Sequence, residues 1–309
     1  MNSHRLTAYL YMLIVSVIWG FAGPIIKFTL HDFPPLVFLS YRFAISSAIA
    51  FIYFSYAKPK FSVKTNWGQI FLYSFLGVTL GLGLLFFGFD KTTSLTGSLL
   101  SASAPIMVVI AGAIFLHERV SKHEKTGITI AFLGTLFIVL APFLVTRAGG
   151  ALGNVEGNVL IMLSILVDTF ASILVKFIVR KHTSPETLTH ISFIFGFLTL
   201  FPIAIAFHSI DGILLVIRSA SLSAHLGVWY MALLSGTLAY TLRNKAIKSI
   251  ETGETAVFTY LYPLWAAPLA FYWLGETVNG YFWVGALIIA VGVMIAEYKR
   301  RKKRVNLEG

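Results

Sequence analysis

TSLTGSLLSASAPIMVVIAGAIFLHERVSKHEKTGITIAFLGT (93–135) and ETGETAVFTYLYPLWAAPLAFYWLGETVNGYFWVGALIIAVGV (251–293) are two copies of one pattern. Pro105 aligns with Pro263, Glu118 with Glu276, Gly127 with Gly285 and Gly134 with Gly292, all at one offset (263 − 105 = 158). Each copy is an apolar run interrupted by proline, a short loop carrying the glutamate, and a second apolar run with spaced glycines. A further pair extends the duplication toward the start of each half: WGFAGPIIKF (19–28) matches DTFASILVKF (168–177), setting Lys27 on Lys176 and Trp19 on Asp168.

The solvent for these runs follows from composition. Hydrophobic residues make up 57% of the 309 and charged residues 12%, with a mean hydropathy of +0.81. One water-soluble core cannot hide so many apolar side chains, so the chain reads as an integral membrane protein. The net charge of +11 does not indicate nucleic acid, because six cations form one run, Lys299 to Arg304, directly after an apolar segment. That is the pattern of a cytoplasmic anchor beside anionic lipid. With no cysteine, no disulfide or thiolate–metal framework exists, and no cofactor is expected.

A bilayer core needs about 20 apolar residues per helix. Windows of that size predict about ten transmembrane helices, roughly 8–30, 34–57, 67–89, 93–117, 124–145, 157–180, 185–208, 224–246, 252–274 and 279–299. With the N-terminus inside, the inner loops collect about eighteen lysines and arginines against about three outside. An odd number of spans would spoil that bias, so both termini are expected to be cytoplasmic in a multi-pass cell (inner) membrane protein. Arg5 and the first apolar run imitate a signal peptide, but the repeat argues that this span is retained. The halves are then a first repeat over 1–145 and a second over 150–300, followed by a basic cytoplasmic tail over 301–309. Five spans per half is odd, so the second copy lies upside down. Inverted repeats of this kind are a transporter architecture with the substrate path at the midplane.

Trp19-Gly20, Tyr41-Arg42-Phe43, Pro105 followed by Phe115-Leu116-His117-Glu118-Arg119, and Pro263 followed by Leu274-Gly275-Glu276 resemble the paired repeats of the drug/metabolite transporter superfamily, specifically its EamA-like exporters. The resemblance covers nearly the whole chain. It implies an all-α fold of ten helices around a central cavity, alternating access between the halves, and export of a small-molecule metabolite. Its members carry amino acids, nucleosides, sugars and drugs, so it does not select a substrate. Two departures are His117 before Glu-Arg, where a glycine is common, and Asp168 in the slot that Trp19 fills in the first half.

Several residues are candidates for transport. Pro105 and Pro263 each remove a backbone hydrogen bond inside an apolar helix and are hinge candidates; an ordinary packing kink is the competing reading. Arg42 lies about eight residues into its span, where it binds a substrate carboxylate, pairs with an acidic helix neighbour, or snorkels. Trp19, Tyr41, Tyr240, Tyr260 and Trp265 are cavity-lining candidates set against plain packing. Arg243 reads either as similar to Arg42 or as an interfacial anchor, and His190 reads as an interfacial histidine. The Gly-x6-Gly spacing of the fifth and tenth spans fits packing within one chain in preference to a homodimer.

LSILVDTFASILVKFIVRK (163–181) carries Asp168 near mid-span, where an ionised carboxylate costs about 2.5–3.5 kcal/mol. Lys176 lies two turns away, out of reach within the helix, and Lys27 and Lys176 are both near enough to a span end to snorkel. For Asp168 three states stand open: a protonated acid, a cavity-facing carboxylate, or a partner such as Arg42. The first two make it a candidate for substrate binding or coupling to protons. Enzymatic signatures are absent. HERVSKH (117–123) lacks the i, i+4 histidine spacing of a zinc protease, and neither a nucleophile elbow nor a phosphate loop occurs. An intramembrane enzyme, a lipid-headgroup flippase and a non-transporting scaffold are the alternatives to a transporter.

Overall fold

A computed structural model describes residues 3–59, 65–115, 122–144, 153–181, 183–250, 254–255, 257–278 and 280–308; these are helical or connecting, with no strand among them. Hydrocarbon offers no partner for backbone polar groups, so apolar runs satisfy them internally as helices. The protein is an all-α membrane protein. We number its helices α1 (Ser3–Thr29), α2 (Pro35–Ala57), α3 (Trp67–Lys91), α4 (Ser94–Ser101), α5 (Ala104–Phe115), α6 (Lys122–Leu144), α7 (Val155–Lys181), α8 (Pro185–His208), α9 (Ile210–Ser219), α10 (Leu222–Ser249), α11 (Tyr262–Pro268) and α12 (Gly280–Glu308). Among the described residues, six of them (α1, α2, α3, α7, α8 and α10) are long and apolar enough to cross a membrane. Glu118 and the expected 145–150 boundary between repeats lie outside the described residues.

Side chains chosen for the task start these helices. Asn66 caps α3 by accepting from Gln69 N at 3.1 Å, Thr93 caps α4 through Thr96 N at 3.2 Å, and Ser184 caps α8 through Thr187 N at 3.1 Å, with Pro185 in the first turn. Glu276 adds a longer-range cap: its two carboxylate oxygens accept from Ser94 N at 2.6 Å and Leu95 N at 2.9 Å, placing a negative charge on the positive end of α4.

Both repeat prolines stand where a helix restarts. The chain breaks at Ala102–Ser103, and Pro105 opens α5. Residues Val257–Leu261 form a 3₁₀ turn, and Pro263 opens α11. A second matched irregularity was not foreseen. α3 widens to a π-helix over Ser74–Leu80, and α10 does the same over Leu233–Leu238. Their glycines, Gly77 and Gly236, stand one residue off the repeat offset. Such segments are uncommon and occur frequently at functional sites.

Packing follows the small residues. α6 lies against α12 along the expected glycine surface: a Cβ on Gly292 would stand 2.3 Å from Ala131 N, and one on Gly134 2.9 Å from Ile289 N. Those glycines are therefore spent within one chain. α2 packs on α8, α3 on α7 and α1 on α10. The core between them includes Phe33, Phe38, Phe43, Phe86 and Phe193. Large apolar side chains such as Leu226, Trp283 and Leu287 point outward, as a lipid-facing surface requires.

Candidate substrate cavity

Trp19 organises the centre of the molecule. Its indole N–H donates to the Ser235 carbonyl in the π segment of α10 at 2.9 Å. Its ring meets Tyr240 edge-on at 5.0 Å and Tyr262 at 6.5 Å. These three aromatics, from α1, α10 and α11, form one wall of a cavity of about 160 Å³. Serines line it elsewhere: Ser98 and Ser101 on α4, Ser164 and Ser172 on α7. That volume lies below the 300–1,000 Å³ typical of drug-sized sites, so it suits a compact solute. Gly77 and Gly81 lie along it, where the π segment of α3 ends.

Asp168 enters this cavity from α7 with its side chain 48% exposed, and Arg243 from α10 meets it. Arg243 Nη2 donates to Asp168 Oδ2 at 3.1 Å and also to Ser172 Oγ, while its guanidinium lies 5.8 Å from the Trp19 ring. Ser172 returns a hydrogen bond to the Asp168 carbonyl at 2.7 Å. The arginine at Asp168 is Arg243, where the partner named as a possibility from sequence was Arg42. Arg243 had two readings, and its burial and its bonds to Asp168 and Ser172 favour the one it shared with Arg42, a cation turned into the bundle. Breaking so buried an arginine away from its carboxylate would leave an uncompensated charge.

Arg42 also lines the cavity, fully buried on α2, with its guanidinium 5.2 Å from the Phe43 ring and 5.4 Å from the Phe86 ring. Of the sequence candidates, the structure thus brings Trp19, Arg42, Asp168 and Tyr240 together. Tyr41 sits elsewhere: its hydroxyl meets His225 Nδ1 at 3.2 Å and its ring meets Phe33. Tyr260 lies in the 3₁₀ turn and does not line the cavity. Trp265 packs against α1, where a Cβ on Gly20 would stand 2.4 Å from Trp265 Cβ. His190, five residues after Pro185 opens α8, is buried and stacked on Tyr53 at 4.4 Å. Lys27 caps α3 by donating to the carbonyls of Phe89 (3.1 Å) and Asp90 (2.9 Å), which adds a structural duty to the expected snorkelling.

The model of the EamA-like transporter family matches this chain twice, over residues 6–140 and 155–298. The chain belongs to that family. Its EamA-like relatives align end to end. An uncharacterized transporter, YyaM, of Bacillus subtilis is 24% identical over 98% of this chain and 97% of its own length. A probable amino-acid metabolite efflux pump of Salmonella typhimurium is 25% identical, with 94% and 95% covered, and one of Escherichia coli is 24% identical, also with 94% and 95% covered. A solved crystal structure at 16% identity has a TM-score of 0.68, covering 96% of this chain and 99% of that one, which establishes the shared fold. Among the aromatics around Pro263, sequence reasoning preferred Tyr260 and Trp265 over Tyr262, which lines the cavity, and it missed the serines. Serine inside an apolar run carries little signal, because its hydroxyl can satisfy itself on its own helix, as Ser98 does on Ser94 O at 2.8 Å.

Proposed function

We propose that this EamA-like protein is a secondary transporter that exports a small organic metabolite, an amino acid or similar solute, by alternating access. In this reading it lies in the cell (inner) membrane with both termini cytoplasmic, as two inverted five-helix halves. The observation that carries the proposal is a cavity among α1, α2, α3, α4, α5, α7, α10 and α11 that combines an aromatic wall with an exposed carboxylate paired to a buried arginine. A packing core has no reason to hold that pair at mid-span, where charge is expensive.

Three features support the transport cycle. The family model matches each half separately. Pro105 and Pro263 open helices at equivalent places, and the π segments of α3 and α10 sit at nearly equivalent places, so each half has matched points at which a helix departs from regular geometry. Relatives named as amino-acid metabolite efflux pumps share the full length. Asp168, half-exposed in the cavity, is the residue through which protons would couple: protonation would release Arg243 and loosen α7 from α10. The test is efflux and counterflow of a metabolite panel in proteoliposomes, with and without a pH gradient. Flux that saturates and is lost in Asp168→Ala is expected; turnover of a lipid or peptide with no solute flux would replace transport by an enzymatic reading.

A further inference from the structure

Among the described residues Arg42 has no counter-ion. Its Nε, Nη1 and Nη2 are all buried, and none has a hydrogen-bond partner. Phe43 and Phe86 give it ring contacts on its cation, but a ring face does not satisfy the in-plane N–H donors of a guanidinium. Asp168 is the one carboxylate among the described lining residues, and its Oδ2 already holds Arg243. The lining side chains therefore carry two guanidinium charges against one carboxylate, an excess of one positive charge in a site with an apolar frame. The backbone makes room for the head group: Gly236, in the π segment of α10, has no Cβ, and one placed there would stand 3.3 Å from Arg42 Nη2.

A buried cation with unmet donors is costly, and a ligand that brings the missing acceptors recovers that cost on binding. The planar fork of an arginine fits the two oxygens of a carboxylate. We infer that Arg42 is the anion-binding residue of the cavity and that the substrate is a compact organic monocarboxylate with a net charge of −1, not a zwitterion. This rests on the transporter reading, keeps its small organic metabolite and replaces the amino acid: an α-amino acid would cancel its own charge and leave the excess on Arg42 in place, whereas a monocarboxylate neutralises the site. Asp168, held by Arg243, then repels a second negative charge and sets the limit at one.

The test uses the purified full chain and three probes with one carbon skeleton: 4-methylpentanoate, its amide, and leucine. 4-Methylpentanoate should raise the melting temperature in a dose-dependent way and drive counterflow in proteoliposomes, with the amide inert and leucine at least about tenfold weaker. Arg42→Lys, which keeps the charge but loses the fork, should weaken the carboxylate about tenfold. Arg42→Met should raise the melting temperature of the ligand-free protein and abolish the carboxylate response. If Arg42 is instead a structural clamp, Arg42→Met lowers that melting temperature, and the inference falls. It falls equally if the amide or leucine matches the carboxylate. Leucine flux without any carboxylate response would keep transport and remove the anion class; no flux of any probe, with a carboxylate response intact, would keep the site and remove transport.

Discussion

Replacing Asp168 by asparagine isolates the charge of the central pair while keeping its shape. In the structure Arg243 holds Asp168 Oδ2 at 3.1 Å, touches Ser172 Oγ and lies over the Trp19 ring at 5.8 Å. Asparagine still offers a carbonyl, so the change exchanges a charge-assisted hydrogen bond for a neutral one, a loss of about 1–1.5 kcal/mol. Asp168→Ala removes the acceptor altogether and leaves Arg243, 8% exposed, without its carboxylate; here we expect about 3 kcal/mol, the low end for a broken buried pair because Asp168 itself is half-exposed. Combining Asp168→Asn with Arg243→Gln should then cost less than the two single changes summed, with a coupling energy of about 1–2 kcal/mol. Unfolding of the detergent-solubilised protein followed by tryptophan fluorescence measures all four variants, and counterflow in proteoliposomes gives the parallel loss of flux. Additivity within about 0.3–0.5 kcal/mol would refute the pair as an energetic unit. Unchanged flux and pH dependence in a folded Asp168→Asn protein would refute its role in coupling.

Gly292→Ala should destabilise the α6–α12 contact by about 1–3 kcal/mol, since its Cβ meets the Ala131 backbone, which cannot move as a side chain would; thermal unfolding reads it. Glu276→Ala uncaps α4 and should cost about 0.5–2 kcal/mol on the same scale, with Glu276→Gln recovering part of it. Asp32 lies in the loop between α1 and α2 and accepts from Ser221 Oγ at 2.6 Å and Ser221 N at 2.8 Å, bonds that hold its carboxyl below its ordinary value. A depressed carboxyl contributes stability above its unfolded pKa of about 3.9, and loses it as pH falls through the lower folded value. Melting temperatures in that acid window should therefore fall less in Asp32→Asn than in the unmodified protein, the effect being small because the site is exposed.

The membrane class, the placement of the long helices and the glycine contact of α6 with α12 were legible because they depend on composition and spacing alone. The partner of Asp168 was not. Sequence offered two arginines, and the choice depends on how α7 rotates against α10, which no one-dimensional pattern encodes; in the structure Arg243 is the one that reaches Asp168. Aromatic residues illustrate the same limit. Tyr240 and Trp19 face the cavity, while Tyr41 and Trp265, the same residue types, turn toward neighbouring helices. The π segments escaped notice because one extra residue in a turn changes neither hydropathy nor charge.

The absence of cysteine makes the central claim open to direct measurement, because any introduced thiol stands alone. Ser98 and Ser164 line the cavity from α4 and α7 and lie outside the Asp168–Arg243 pair. Single Ser98→Cys and Ser164→Cys proteins in sealed vesicles would be treated with a membrane-impermeant methanethiosulfonate from either side in turn. Alternating access through this cavity predicts labelling from both sides at each position, with flux lost in step with modification. Labelling from one side only, or full labelling with flux unchanged, would contradict it.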